Sequence, residues 1–461
     1  MALLRSIPRW GLALAFALAV GGAWRAYHAV HHGRFLSADE RAYSVLGAAV
    51  SHGHYAAPVM TDPLHWPPGT PVLFAVARRL TGAPDRPLDP MAAYWAQWMV
   101  GVALIVAVFL LVKLLAGPWP AIAAAAAVAL YPPLNVITGD MVSEPLGALT
   151  IVLVVLALAW AYRAPSPWRF ALAGALTAAA ILVRADLLVV PFVLAAVIAL
   201  TMRRWGARPA LLAAGAYLVA AVVVLSPWSW YASSRRSELT PISSSSWSTL
   251  YVGTYLPGDG RIFGIREALG DEARRHNPRI RDIRNRNLRT QWILDAVAAR
   301  HRGLGRSDAL RKETMANLRR YALGQPVAFA GMQVRKLERM WIGYDRGTHH
   351  QERGWILAVH LLLCTAGLAG LLYGIWRTRH PALIAILAIV LAGTAVNSFF
   401  VAEARHNARL VPLLAAGGAA GIALARVSGR GRAGRSGPPR APAIGPRPAR
   451  AGRPRDAASA R

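Results

Sequence analysis

Apolar residues along this chain do not alternate with polar ones at the period of a strand or an amphipathic helix. They come in blocks of roughly 20, the length that crosses the hydrocarbon core of a bilayer. The blocks fall at 10–30, 94–115, 120–131 with its flanks, 142–162, 170–183, 187–202, 209–225, 355–376, 382–401 and 410–425. That pattern predicts an all-α polytopic membrane protein with about ten transmembrane helices. Arg5 and Arg9 precede the first block, and no small-x-small cleavage site with a soluble domain behind it follows. It reads as a retained span with its N-terminus on the cytoplasmic side.

The basic residues agree with that orientation. Lys113, then Arg163 and Arg169, then Arg203, Arg204 and Arg208, then Arg377 and Arg379 occupy the short loops of one side, as the positive-inside rule asks. The chain divides into a transmembrane module at 1–227 with a first external loop at 31–93, an external segment at 228–353, further spans at 354–426 and a basic tail at 427–461. Residues 233–263, rich in Ser, Gly, Tyr and Pro, read as loop, and 266–341 carries helical patterns. Val327, Ala330, Val334, Leu337 and Trp341 form an apolar stripe beside Arg335, Lys336 and Arg339, the mark of helices lying at a membrane interface. The Arg-, Pro- and Gly-rich tail lacks the apolar content to fold. It reads more simply as a bare extension than as an arm held on anionic lipid.

Composition narrows the class. Of 461 residues, 55% are hydrophobic and 16% charged, against about 25% charged in soluble domains, which argues against an ordinary soluble enzyme. The net charge of +30 reflects basic loops and tail in such a chain, so no nucleic-acid partner is expected. A single cysteine, Cys364, leaves no intramolecular disulfide and no Cys-based zinc site. No Gly-rich nucleotide loop follows a strand pattern.

The acidic residues of the outer side carry the candidate chemistry. Asp39 and Glu40 follow the first span, Asp140 and Glu144 lie before the fourth, Asp186 follows Arg184, and Glu403 precedes Arg405, His406 and Arg409. Any one of them reads more simply as an interfacial ion pair. Together on one side they suit a reaction on a phosphate-bearing lipid, with a carboxylate as base or metal ligand and arginines on the phosphate. His28 with His31 or His32 has metal-ligand spacing on a helix face, although interfacial histidines at a helix end are the commoner case.

These pieces resemble a known family. Asp39-Glu40 with Tyr43 resembles the first-loop motif of the GT-C superfamily of glycosyltransferases, and within it the bacterial lipid A aminoarabinose transferases and protein O-mannosyltransferases. His65-Trp66-Pro67-Pro68-Gly69-Thr70-Pro71, Val142-Ser143-Glu144-Pro145-Leu146 and Leu182-Val183-Arg184-Ala185-Asp186 are similar to further family segments, in order. So are 321–341, with Gln325-Pro326, and 405–412; the likeness covers about 1–425.

The resemblance implies an enzyme taking a sugar from a polyprenyl-phosphate donor. The acceptor would be a lipid, glycan or protein at the outer face of the cytoplasmic membrane, with membrane lipids as surroundings. Asp39 would be the general base, inverting the anomeric carbon, with Glu40 beside it and Glu144 orienting the acceptor or a metal. Arg184, Arg405 and Arg409 would hold the donor phosphate, and Tyr43 and Tyr255 would contact substrate, Tyr255 from a glycine-rich lid. Where the aminoarabinose transferases carry Glu-Lys, this chain has His65-Trp66. A divalent metal, a candidate cofactor only, would then fall to His65 or Asp62. The competing class is a transporter or flippase of a lipid-linked sugar. It would place polar residues near the membrane midplane, whereas these spans are almost purely Ala, Leu and Val.

Overall fold

The computed structural model describes residues 8–31, 37–56, 60, 62–82, 91–236, 238–342 and 354–433. His32 and most of the basic tail lie outside them. Among the described residues every regular element is helical. The N-terminal part comprises α1 (Arg9–Val30), a hairpin of α2 (Ala38–Ser51) and α3 (Gly69–Thr81), α4 (Met91–Ala116), α5 (Pro118–Ala129) and α6 (Pro132–Ile137). It continues through α7 (Glu144–Arg163), α8 (Pro167–Val183), α9 (Val190–Met202) and α10 (Ala207–Arg236). Then come α11 (Ser246–Thr254), α12 (Ile262–His276), α13 (Thr290–Ala298), α14 (Arg306–Asn317) and α15 (Pro326–Trp341). The chain returns to the bundle with α16 (Gly354–Thr378), α17 (Pro381–Phe399) and α18 (Val411–Ala433).

Seven stretches among the described residues are long and apolar enough to cross a membrane: α4, α7, Ala185–Trp205, α10, α16, α17 and Ala404–Ser428. The chain is a multi-pass membrane protein. Three further expected spans fall outside that set: α5 and α8 have 12 and 17 residues, and α1 does not reach the same apolarity.

The break after α5 shows how a short helix survives at membrane depth. Pro132 and Pro133 cannot continue its hydrogen-bond ladder, so its last carbonyls need other donors. Arg25, fully buried on α1, supplies them, donating to Val128 O at 3.1 Å and Ala129 O at 3.3 Å. Asn135 adds a bond to Ala129 O at 3.1 Å. Gly101 on α4 makes the room, since a Cβ there would sit 2.6 Å from Arg25 Cδ.

Two differences from the sequence expectation concern the segment between α10 and α16. The helix expected to end near 225 runs on through Pro227 to Arg236, and α11 lies inside the stretch read as loop. Its Ser and Thr content hides it, and burial of Tyr251 and Val252 decides it. Residues of α11–α14 share an apolar core that includes Tyr251, Ile265, Leu269, Ile293, Val297 and Leu310. On α15 the buried face is Phe329, Met332, Lys336 and Met340. The predicted apolar stripe points outward, with Val327, Val334 and Leu337 exposed, as a helix lying on a membrane surface requires.

Helices α16 and α18 pack through glycines: Gly367 and Gly370 face Gly418, and Gly374 faces Gly421. Backbones then meet directly, the arrangement that small residues permit in membranes. Gly374→Ala would place a methyl 2.3 Å from Gly421 Cα. It is expected to destabilise by about 1–3 kcal/mol through overpacking, read as a lower unfolding midpoint in detergent. Gly215→Ala, with open space at its Cβ, should cause no such drop.

Candidate active site

The site forms at one end of the bundle, where the starts of α2 and α7 meet the ends of α8 and α17. Helix α2 opens with a capping box: Ser37 Oγ accepts the Glu40 N–H at 3.3 Å, and Glu40 Oε2 accepts the Ser37 N–H at 2.8 Å. The other oxygen of Glu40 accepts the Met141 N–H at 3.2 Å. Glu40 therefore ties α2 to the approach to α7 and is buried there. Asp39, its neighbour in the first turn, faces Arg405.

Arg405 lies in the short 3₁₀ turn Ala404–Asn407 before α18. Its Nη1 is 2.8 Å from Asp39 Oδ2, and its Nε is 2.8 Å from Glu403 Oε2 and 3.7 Å from Glu144 Oε1. Glu144, in the first turn of α7, also takes Arg184 Nη1 at 3.1 Å. Arg184 continues to Asp186 at 3.3 Å, and Asp186 to Arg409 at 2.5 Å. Ser143 accepts from Arg184 at 2.9 Å, and Asn397 donates to Asp186 at 3.4 Å. Gly147, one turn into α7, leaves space for Arg184; a Cβ there would meet Arg184 Cδ at 2.9 Å. Four carboxylates and three guanidinium groups thus alternate in one chain of contacts.

Exposure separates the members. Side chains of Asp39 and Arg405 are 36% and 25% accessible, Arg184 12%, Glu144 3% and Arg409 0%. Asp39 and Arg405 form the open end, and Arg409 backs the cluster from inside, its nitrogens without a well-directed hydrogen bond. Burial alone would raise the Asp39 pKa, but Arg405, with help from His65 and Arg184, holds it below the ordinary carboxylate value. Arg184 also resists burial, because Asp186 and Glu144 raise its pKa. Tyr43 is buried beside Ser143, and burial together with Asp39 and Glu144 pushes its hydroxyl pKa up, so it stays a neutral donor.

Five of the sequence-predicted residues therefore meet directly: Asp39, Glu144, Arg184, Arg405 and Arg409, with Tyr43 alongside. Asp186 and Glu403 complete the cluster. Both stand out in the sequence as acidic residues beside arginines on this face, and neither receives a role from the sequence alone. His65 lies near Asp39 and Asp62, and burial keeps its pKa below the usual value despite both. Asp62 Oδ2 is engaged by Ser244 Oγ at 2.7 Å and Arg236 Nη1 at 3.1 Å. Among the described residues no group of three His, Cys, Asp or Glu side chains is placed to hold a metal, and a carboxylate already bonded to an arginine is a poor ligand to build from. Tyr255 stacks on Tyr251 at 5.6 Å and meets Tyr321 edge-on, and none of its ring partners belongs to the ion cluster.

Helices α11 and α15 anchor the Arg405 turn. A Cβ on Gly253 of α11 would lie within 2.3 Å of the Phe399 and Phe400 carbonyls, so α11 rests directly on the end of α17. Lys336 of α15 fixes α11 by donating to Gly253 O at 2.9 Å, while Arg335 and Arg339 grip Asp259. Asn407, inside the turn, donates to Met340 O at 2.5 Å.

The comparisons with known proteins bear on this arrangement. A family model described as dolichyl-phosphate-mannose-protein mannosyltransferase matches residues 66–231. That stretch holds Glu144, Arg184 and Asp186, lying after Asp39 and before Arg405. No curated protein sequence matches the chain. Among solved structures, the oligosaccharyltransferase of Archaeoglobus fulgidus in its apo form superposes with a TM-score of 0.55 and 17% identity, over 92% of this chain and 51% of its own. The fold is that of the GT-C membrane glycosyltransferases. The oligosaccharyltransferase AglB from the same organism, in complex with an inhibitory peptide and a dolichol-phosphate, gives 0.54 and 15% over 92% and 51%. Its complex with Zn and sulfate gives 0.53 and 14% over 91% and 49%. The chain spans about half the length of those structures.

The buried lysine generates a test of the anchoring. Burial, with Arg339 adding and Asp259 opposing, lowers the Lys336 pKa from 10.5 to about 7. Between those values the unfolded chain binds a proton that the folded chain does not, so this lysine makes stability rise with pH across that window. Near neutral pH the Lys336→Met variant should unfold at a higher midpoint than wild type, with the gap closing towards pH 10. A gap that does not change with pH would show that Lys336 is solvated.

Proposed function

We propose that this chain is an integral-membrane glycosyltransferase that moves a sugar from a polyprenyl-phosphate carrier to a hydroxyl acceptor at the external face of the cytoplasmic membrane. The observation that carries this reading is the open end of the ion cluster. Only there do a carboxylate and a guanidinium of the cluster, Asp39 and Arg405, sit 2.8 Å apart with both still accessible. The GT-C fold and the mannosyltransferase match support the same chemistry.

In this reading Asp39 takes the proton of the acceptor hydroxyl as its oxygen attacks the anomeric carbon and the bond to the phosphate oxygen breaks, with inversion. The leaving polyprenyl phosphate gains negative charge, which Arg405 and Arg184 stabilise in a site of low dielectric. Arg405 has a second effect. While it holds Asp39, the carboxylate is a weak base; a donor phosphate drawing Arg405 away frees Asp39 when a substrate is present. Glu144 orients Arg184 and Arg405, and Tyr43 donates a hydrogen bond at the rim. Glu40 serves as a positioning residue through its cap. Tyr255 reaches substrate only through movement of α11. The excess of Arg in the external segment suits an anionic acceptor.

The test is transfer by purified protein in lipid, offered a panel of polyprenyl-phosphate sugars and a membrane extract. Asp39→Asn should lower the transfer rate by roughly 10²–10⁴-fold with donor retention unchanged, whereas Arg405→Gln should weaken donor retention as well. Equal transfer by wild type and Asp39→Asn would move the base assignment to Glu144. Donor crossing vesicles without any transfer would establish a transporter instead.

A further inference from the structure

The opposite end of the same helices carries a second polar site. Helix α7 starts at Glu144 and ends at Arg163, 20 residues later, about 30 Å along its axis. There a cavity of about 220 Å³ opens between the ends of α4 and α7, the turn at Arg203–Trp205, and the link from α16 to α17. Arg163, Arg204, Arg379 and His380 line it, with Tyr162 and Thr378, and none of its lining residues is acidic. Among the described residues these three arginines make no ion pair, in contrast to every arginine of the site described above.

The cavity is built rather than incidental. Arg379 holds a left-handed backbone, φ +51°, where glycine is the usual residue. The turn around it is fixed by Thr378 Oγ1, which accepts the His380 N–H at 3.2 Å, and by His380 Nδ1, which accepts the Ala382 N–H at 3.3 Å. With Nδ1 accepting, the proton of a neutral His380 sits on Nε2, leaving a donor. Tyr162 is braced by Thr201 at 2.9 Å, and the Arg204 guanidinium lies 3.8 Å from the centre of the Trp205 ring. Exposed Trp168, Trp205 and Trp376 surround this end of the bundle. That is the belt tryptophans form at headgroup depth. The cavity is smaller than the roughly 300–1,000 Å³ of pockets for drug-sized ligands, a size for one compact anion.

We propose that this cavity is a phosphate-binding site on the face opposite the transfer site. Its ligand is a tetrahedral phosphate, either the diester of an anionic phospholipid headgroup or inorganic phosphate. Three unpaired guanidinium groups in a partly enclosed site match the fork geometry of phosphate oxygens, and basic pockets between membrane helices are where anionic headgroups seat.

The full chain in phosphatidylcholine nanodiscs provides the test, with phosphatidylglycerol added in one arm and sodium phosphate against ionic-strength-matched chloride in the other. The unfolding midpoint of wild type should rise in at least one arm; a rise with phosphatidylglycerol alone assigns the lipid, and a rise with phosphate in pure phosphatidylcholine assigns the free anion. The combined Arg163→Gln, Arg204→Gln, Arg379→Gln protein should lose the rise. Arg379→Gly, whose backbone suits the positive φ and keeps the fold, should need at least about threefold more ligand for the same rise. Arg208→Gln, exposed at the same end outside the cavity, should behave as wild type. No rise in wild type in either arm, or equal rises in wild type and both cavity variants, would overturn the proposal.

Discussion

Arg405 is held at once by carboxylates from three distant parts of the chain, and the end of the bundle is organised around it. Asp39 belongs to α2, Glu144 to α7, and Glu403 to the turn before α18. A lone charge at such a place costs several kcal/mol. Alternating signs along Asp39, Arg405, Glu144, Arg184, Asp186 and Arg409 let each member be the counter-ion of the next. The arrangement is stiff for the same reason. Withdrawing Arg184 takes a counter-ion from both Glu144 and Asp186, and withdrawing Arg405 takes one from Asp39, Glu144 and Glu403, so the segments that bear them depend on one another.

The segment that holds α11–α15 serves that constraint. Helices α11 and α15 contribute no ionic member to the cluster, yet they set the height of the turn that carries Arg405. Gly253 lets α11 lie on the last carbonyls of α17, Lys336 clasps α11 from behind, and Asn407 joins the turn to the end of α15. The two ends of the membrane bundle differ in kind: at one, carboxylates balance arginines, and at the other arginines stand without them.

Much of this is legible in the sequence because membrane charges are few and each is visible. Asp39, Glu144, Arg184, Arg405 and Arg409 stand out against apolar blocks, and each falls at or near the end of one. What the sequence does not show is direction. Asp39 and Glu40 are adjacent, but successive helical residues point about 100° apart, and the capping box turns Glu40 inward. Asp62 looks like a ligand by its place in a motif, while its partner Arg236 arrives from 174 residues later, on an extension of α10 that hydropathy alone ends too soon. Tyr255 sits near the glycines of a loop-like stretch that is partly helix. Lys336 shares a helical face with apolar residues, and only packing reveals that it lies beneath them. Arg25 is the clearest signal that hydropathy passes over, an arginine inside an otherwise apolar block.

That arginine has a consequence for how the chain is made. Helix α1 is made before α5, with a guanidinium of a kind that costs translocon insertion up to about 2.5–3.5 kcal/mol, the value at a helix centre. Besides Gly21 O of its own helix at 3.1 Å, its acceptors are the carbonyls of Val128 and Ala129, 103 and 104 residues downstream. Until α5 is synthesised and its proline-broken end arrives, Arg25 has only Gly21 O of its own helix to donate to, and Val128 O lacks the donor that Arg25 brings. The packing of α1 is therefore completed only once a helix about a hundred residues downstream has been made.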